Sequence, residues 1–152
     1  MNYLMDFITN EVLISAAVGW CVAQVLKTII HICVTKKFDA ERLVGTGGMP
    51  SSHSATVCGL ATAVGINHGL GSTEFAIAFI LAIVVMYDAL GVRRETGKQA
   101  IVINEMIEMF LNMGNEMTAQ QRLKEFVGHT PLQVLAGAVL GTALAFLICY
   151  LM

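Results

Sequence analysis

The sequence predicts an all-α integral membrane protein, a helical bundle of about four transmembrane helices with one amphipathic helix on the cytoplasmic side. Three observations carry this expectation. Hydrophobic residues fill 56% of the 152 positions and charged residues only 13%, with a mean hydropathy of +0.70, too apolar for a water-soluble domain. Apolar runs recur along the chain, most of them long enough to cross a ~30 Å hydrocarbon core at ~1.5 Å per residue. The Lys and Arg residues gather at one set of run ends. The length fits one polytopic unit over residues 1–152, and a net charge of −2 argues against a nucleic-acid partner. Cys21, Cys33, Cys58 and Cys149 are scattered through apolar segments without a C-x-x-C pair, so they read as small core residues.

The first eleven residues contain Asp6 and Glu11 but no Lys or Arg, the wrong charge for a signal peptide, so no cleavage is expected. The first span covers residues 12–34. Within it Gln24, Lys27 and His31 fall at spacings of three and four and form one polar stripe. Either Lys27 snorkels toward Lys36 and Lys37, or it faces inward as a ligand for an anion; an intramembrane charge favours the second reading.

A polar loop leads to Gly47-Gly48-Met49-Pro50-Ser51-Ser52-His53-Ser54-Ala55, the stretch around which the other polar residues are organised. The glycines permit close backbone approach to a ligand, Pro50 suits a first helical turn, and Ser51 or Ser52 can cap it. A helix N-terminus is an anion site, and His53 beside it can exchange a proton with a bound phosphate ester. The plainer alternative is a cap and nothing more. The second span covers residues 53–66, followed by a tight turn over 67–72 in which His68 is solvated.

The third span, residues 73–92, is apolar up to Tyr87 and Asp88, and Arg93 and Arg94 follow. Asp88 either pairs with an arginine or orients a histidine. Over residues 95–127 the recurrence of Ile103, Met106, Ile107, Phe110, Met113 and Met117 predicts an amphipathic helix. Its opposite face is acidic (Glu105, Glu108, Glu116), so packing on the bundle as a lid is expected over lying on anionic lipid. The last span starts at Thr130 as cap and Pro131 as first helical residue, with His129 just outside. Ala136, Gly137, Ala138 and Gly141 offer a small face for close packing or for a homodimer.

If four spans alternate, all nine Lys and Arg lie toward one side, and Asp6, Glu11, Glu74 and the C-terminus lie on the other. The positive-inside rule makes the basic side cytoplasmic and puts both termini outside, as in a bacterial plasma membrane protein. Lys27, His53, Asp88, Arg93, Arg94 and His129 then meet near the cytoplasmic boundary. Two histidines at helix N-termini among several cations are the inventory of a phosphatase: one attacks phosphorus, the other protonates the leaving alkoxide, and the cations hold the non-bridging oxygens. A metal site built from His53, His129 and Asp88 is the competing chemistry, and the surrounding cations oppose it.

Met49-Pro50-Ser51-Ser52-His53-Ser54-Ala55 resembles the Pro-Ser-Gly-His element of type-2 phosphatidic acid phosphatases. The run from His129-Thr130-Pro131 through Val134-Leu135-Ala136-Gly137 resembles their last element, and Asp88-Ala89-Leu90-Gly91-Val92-Arg93-Arg94-Glu95 lies between. The set, from Gln24 onward, looks most like the divergent branch of that family. The resemblance implies that His129 is the nucleophile, forming a phosphohistidine, and His53 the acid, in a cofactor-free and metal-independent hydrolysis of a membrane lipid phosphate such as phosphatidylglycerol phosphate or phosphatidate. Lys27, Ser51, Ser52, Arg93, Arg94 and Lys98 are the groups expected to hold the phosphate. Gln133 stands where the family has an aspartate to orient the nucleophile, Leu123 where it has an arginine, and the first lysine element has only Lys27 or Arg42 as loose counterparts. The alternative from another class is a non-catalytic membrane protein that binds an anionic lipid head group or scaffolds partners.

Overall fold

A computed structural model describes residues 2–38, 47–113, 123 and 129–152. Arg42, Glu116 and Met117, named above, lie outside the described residues, as do Arg122 and Lys124 of the nine cations and the side chains of Arg93 and Arg94. The chain forms α1 (Tyr3–Ile8), α2 (Glu11–Thr35), α3 (Ser52–His68), α4 (Thr73–Leu90), α5 (Val92–Asn112) and α6 (Pro131–Leu151). The short, exposed α1 was not signalled by any apolar period.

Caps set the boundaries. Asn10 Oδ1 accepts from Val12 N–H and Leu13 N–H at 3.0 and 3.2 Å to start α2, and Ser72 Oγ accepts from Phe75 N–H at 3.1 Å to start α4. Gly69, at φ 83°, turns the chain out of α3 beside the exposed His68.

Three stretches are long and apolar enough to cross a membrane: Glu11–Thr35, the run Thr73–Asn112 that begins with α4, and Pro131–Leu151. The protein is an all-α integral membrane bundle. The fourth expected span is the 17-residue α3, which is the inner helix because it packs against α2, α4 and α6. Its sequence explains that place. Ser54, Ala55, Gly59, Ala61 and Ala63 are small and buried, whereas Ile77, Ile80, Val84, Leu135, Val139 and Phe146 on the outer helices are exposed. Large outside and small inside is the packing of a membrane bundle, where lipid accepts bulk and helices associate by close backbone approach.

The approach is closest between α3 and α6. A Cβ at Gly137 would collide with Ser51 O, and one at Gly141 with Ala55 O; on the α2 side, a Cβ at Gly19 would stand 2.9 Å from Ala55 O. The Gly137/Gly141 face, open at the sequence level to packing or to self-association, is thus occupied within the chain. Ser51 N–H donates to Gln133 O at 3.0 Å at one end of this seam, and Thr62 Oγ1 meets Thr142 Oγ1 at 3.4 Å further along. Helices α3 and α6 therefore run parallel. Asn67 Nδ2 donates to Glu11 Oε2 at 3.1 Å at the opposite end, so α2 runs antiparallel to both. One end of the bundle thus gathers the starts of α3 and α6 and the end of α4.

Candidate active site

At that end the loop before α3 folds over Lys27. Gly47 and Gly48 have φ of 89° and 85°, and a Cβ at Gly48 would stand 3.1 Å from Lys27 Cγ, so glycine is required both by the backbone and by the lysine stem beneath it. Lys27 is only 3% exposed and does not snorkel. Its ammonium donates to Gln24 Oε1 at 2.6 Å and to Ser52 Oγ at 3.5 Å. Gln24 thus holds the buried cation from one turn below on the same helix, and Ser52 from the start of α3.

The two serines divide the labour expected of both. Ser51 is the N-cap of α3, so Pro50 precedes the helix instead of forming its first turn. Ser51 Oγ accepts from Ser54 N–H at 3.3 Å and from Ser54 Oγ–H at 3.0 Å, while its own N–H goes to Gln133 O. Its side chain caps α3, and its N–H ties α3 to α6. Ser52, equally buried, is the serine turned to the cation. His53 follows it, half-buried, in the first turn of α3.

At the start of α6 a capping box closes the helix: Thr130 Oγ1 accepts from Gln133 N–H at 3.4 Å, and Gln133 Oε1 accepts from Thr130 N–H at 3.0 Å. The same Oε1 lies 3.2 Å from His129 Nδ1. This sharing fixes the imidazole chemistry. A backbone N–H can only donate, so the amide atom facing Thr130 is the oxygen, and an oxygen at 3.2 Å from Nδ1 requires the proton on Nδ1. In the neutral ring the lone pair then sits on Nε2. The His129 backbone is tied down as well, since its N–H donates to Ala89 O at 3.3 Å, and the ring is buried at 3% exposure. Asp88, half-buried, precedes that anchoring carbonyl.

His129 is hydrogen-bonded to Gln133, whose carbonyl accepts from Ser51 N–H, and the neighbouring Ser52 accepts from Lys27, which Gln24 also holds. Two parallel helix starts side by side, each with a partial positive charge of about +0.5, add to the lysine in favouring an anion. Among the described residues no group of three or more His, Cys, Asp or Glu is placed to hold a metal, so His53, His129 and Asp88 do not converge as ligands. Arg93 and Arg94 occupy the first turn of α5, just past the anchoring Ala89. Lys98, one turn further along α5, is exposed, and its Nζ lies 2.6 Å from Glu95 Oε1.

A family model described as the divergent PAP2 family matches residues 8–144. The chain belongs to the divergent PAP2 family. Among curated proteins this divergent PAP2 chain is similar to the uncharacterized membrane protein YuiD of Bacillus subtilis (strain 168), at 41% identity covering 96% of this chain and 98% of the relative. No solved structure matches. The motifs around His53 and His129, read from the sequence as type-2 phosphatidic acid phosphatase elements, fall inside the matched region. Sequence reasoning missed Gln24 as the partner of Lys27 and Ala89 as the anchor of His129. The first had a signal, a glutamine three residues before a lysine on one helix face; the second depends on tertiary contact alone.

Proposed function

We propose that this divergent PAP2 protein is a metal-independent phosphatase that hydrolyses a lipid phosphate monoester through a phosphohistidine on His129. The observation that carries the reading is the bond from His129 Nδ1 to Gln133 Oε1, which aims the Nε2 lone pair while Lys27 and two helix starts favour the anion. In the first step Nε2 attacks phosphorus, the bond to the lipid oxygen breaks, and His53 gives its proton to the departing alkoxide. In the second step His53, now neutral, takes a proton from water as its oxygen attacks the phosphohistidine, which releases inorganic phosphate and restores Nε2. Lys27 and Ser52, with Arg93 and Arg94, hold the non-bridging oxygens as their charge redistributes. Lys36 and Lys37 stand just past the end of α2 that carries Lys27, so the positive-inside rule turns this end to the cytoplasm and favours phosphatidylglycerol phosphate or phosphatidate made on that face.

A second reading rests on Gln133 itself. An amide fixes the ring but cannot stabilise an imidazolium as a carboxylate does, which suits a non-catalytic protein that binds an anionic head group. Purified protein in detergent with excess chelator separates the two. Phosphate release from either lipid that persists in chelator and is lost in both His129→Ala and His53→Ala supports the phosphatase. Lipid binding that survives His129→Ala, with no release by the wild type, supports the binder, and release abolished by chelator contradicts the metal-free mechanism.

A further inference from the structure

Helices α4 and α6 both pack on α3 but hardly on each other, which leaves a furrow over the middle of α3. Ala61 and Gly65 of α3 are small and keep its floor low, while Phe79 and Ile83 of α4 and Phe146 of α6 stand exposed along its rim. The space measures about 560 Å³, and no charged residue is among the described residues that line it. Its few polar atoms face one another. Thr62 Oγ1 meets Thr142 Oγ1 at 3.4 Å, and Cys58 Sγ lies 3.8 Å from Met86 Sδ. A polar head group would lose its water here and find no charged partner in return, whereas hydrocarbon enters without that cost.

The two ends of the furrow relate it to the candidate site. At one end Met86 lies less than one turn along α4 from Ala89, whose carbonyl anchors the His129 backbone. At the other, Leu70 and Phe75 fold over Gly65, where a Cβ would stand 3.1 Å from Leu70 Cδ2 and from the Phe75 ring. Between Met86 and Phe75 the furrow runs ~17 Å along the axis of α4. One leaflet supplies half of a ~30 Å hydrocarbon core, so a single acyl chain matches that length. The open side meets lipid, because α4 and α6 lie in apolar spanning stretches whose outer residues Ile80, Val84 and Val139 are exposed.

We propose that this furrow holds one acyl chain of the lipid whose phosphate binds at His129, and that its closed far end limits the length of chain accepted. The proposal rests on the reading of the site as one for a lipid phosphate, and it requires binding but no turnover. Phosphatidate with a diazirine at mid-chain, or phosphatidylcholine with the same group, is added in trace to the protein in phosphatidylcholine vesicles, and cross-linked residues are read by mass spectrometry. Phosphatidate is expected to label Thr62, Phe79 or Phe146 at least about fivefold more than phosphatidylcholine does. Equal labelling by the two lipids, which would mean that any chain fills the furrow, or phosphatidate labels confined to outer residues such as Ile77 and Ile80, would overturn the proposal. The length limit is read with Ile66→Trp, which adds bulk near the closed end, and Ile80→Trp, which adds it outside the furrow. The concentration of dipalmitoyl phosphatidate that halves the labelling should rise at least about tenfold in Ile66→Trp alone, the worth of some two buried methylenes, with dioctanoyl phosphatidate unaffected. A parallel change for both chain lengths, or in both variants, would overturn it. Phosphate release by the same wild-type preparation separates the two claims. Release without labelling of the furrow overturns the chain site alone, and labelling without release supports the chain site and contradicts the phosphatase.

Discussion

The α3–α6 seam and helix α5 solve opposite packing problems. At the seam, two backbones meet with glycine on one side and serine and alanine carbonyls on the other, and Ser51 N–H donates across it to Gln133 O. On α5, large flexible side chains stand exposed while a glycine, an alanine and an asparagine make the protein contact. The difference teaches that in this bundle small residues mark the closest helix contacts, while many of the largest apolar side chains stand exposed. The proposed site sits on the seam, where a fraction of an ångström matters, and not on the helix that hydropathy makes conspicuous.

The comparison breaks most severely at Gly141. Gly141→Leu drives a side chain into the Ala55 carbonyl, which backbone cannot yield, so it is expected to lose several kcal/mol, about 3 or more, and most folded protein. Adding bulk on the exposed face of α5, one carbon by Val102→Leu, should leave stability within about 0.5 kcal/mol. Thermal unfolding in detergent compares the two; similar losses would dissolve the contrast.

A smaller effect is expected at Gln133. Gln133→Ala removes the acceptor of His129 and Thr130 together, a loss of about 1–3 kcal/mol of positioning, or roughly tenfold to a hundredfold in turnover. Gln133→Glu keeps the length and the capping box, and its carboxylate stabilises the positive ring that forms as Nε2 attacks. Turnover should rise and the rising limb of the pH–rate profile should move to higher pH, because a more basic ring needs higher pH to be neutral. Phosphate release across a pH series reads both; an unchanged profile would mean that Gln133 caps α6 and does nothing to His129.

The smallest effect belongs to Lys98. Its pair with Glu95 is exposed on both sides, so Lys98→Ala should cost no more than about 0.5 kcal/mol in stability and leave phosphate release near wild type. A loss above tenfold would return Lys98 to the phosphate site.

Much of the fold was legible. The apolar runs marked α2, α4 and α6, and the serine and threonine caps marked the starts of α3 and α6 to within a residue. The inward turn of Lys27 followed from the cost of an intramembrane charge. Thr130-Pro131-Leu132-Gln133 also spelled a capping box, so the residue that reads as a departure from a family motif was announcing its own structural duty. What was hidden has one physical cause. The helical period defines faces but does not say which face a neighbour covers, so the Gly97–Ala100–Asn104 face of α5 carried no hydropathy signal. The tie from Ser51 N–H to Gln133 O likewise depends on α6 lying beside α3.

The most direct test is to quench the reaction with a radiolabelled lipid phosphate and look for phosphate bound to the protein. The account predicts an acid-labile, alkali-stable label on wild-type protein at His129, weaker in Gln133→Ala and absent from His129→Ala. Phosphate release that proceeds without any labelled protein, or a label that persists in His129→Ala, would contradict it.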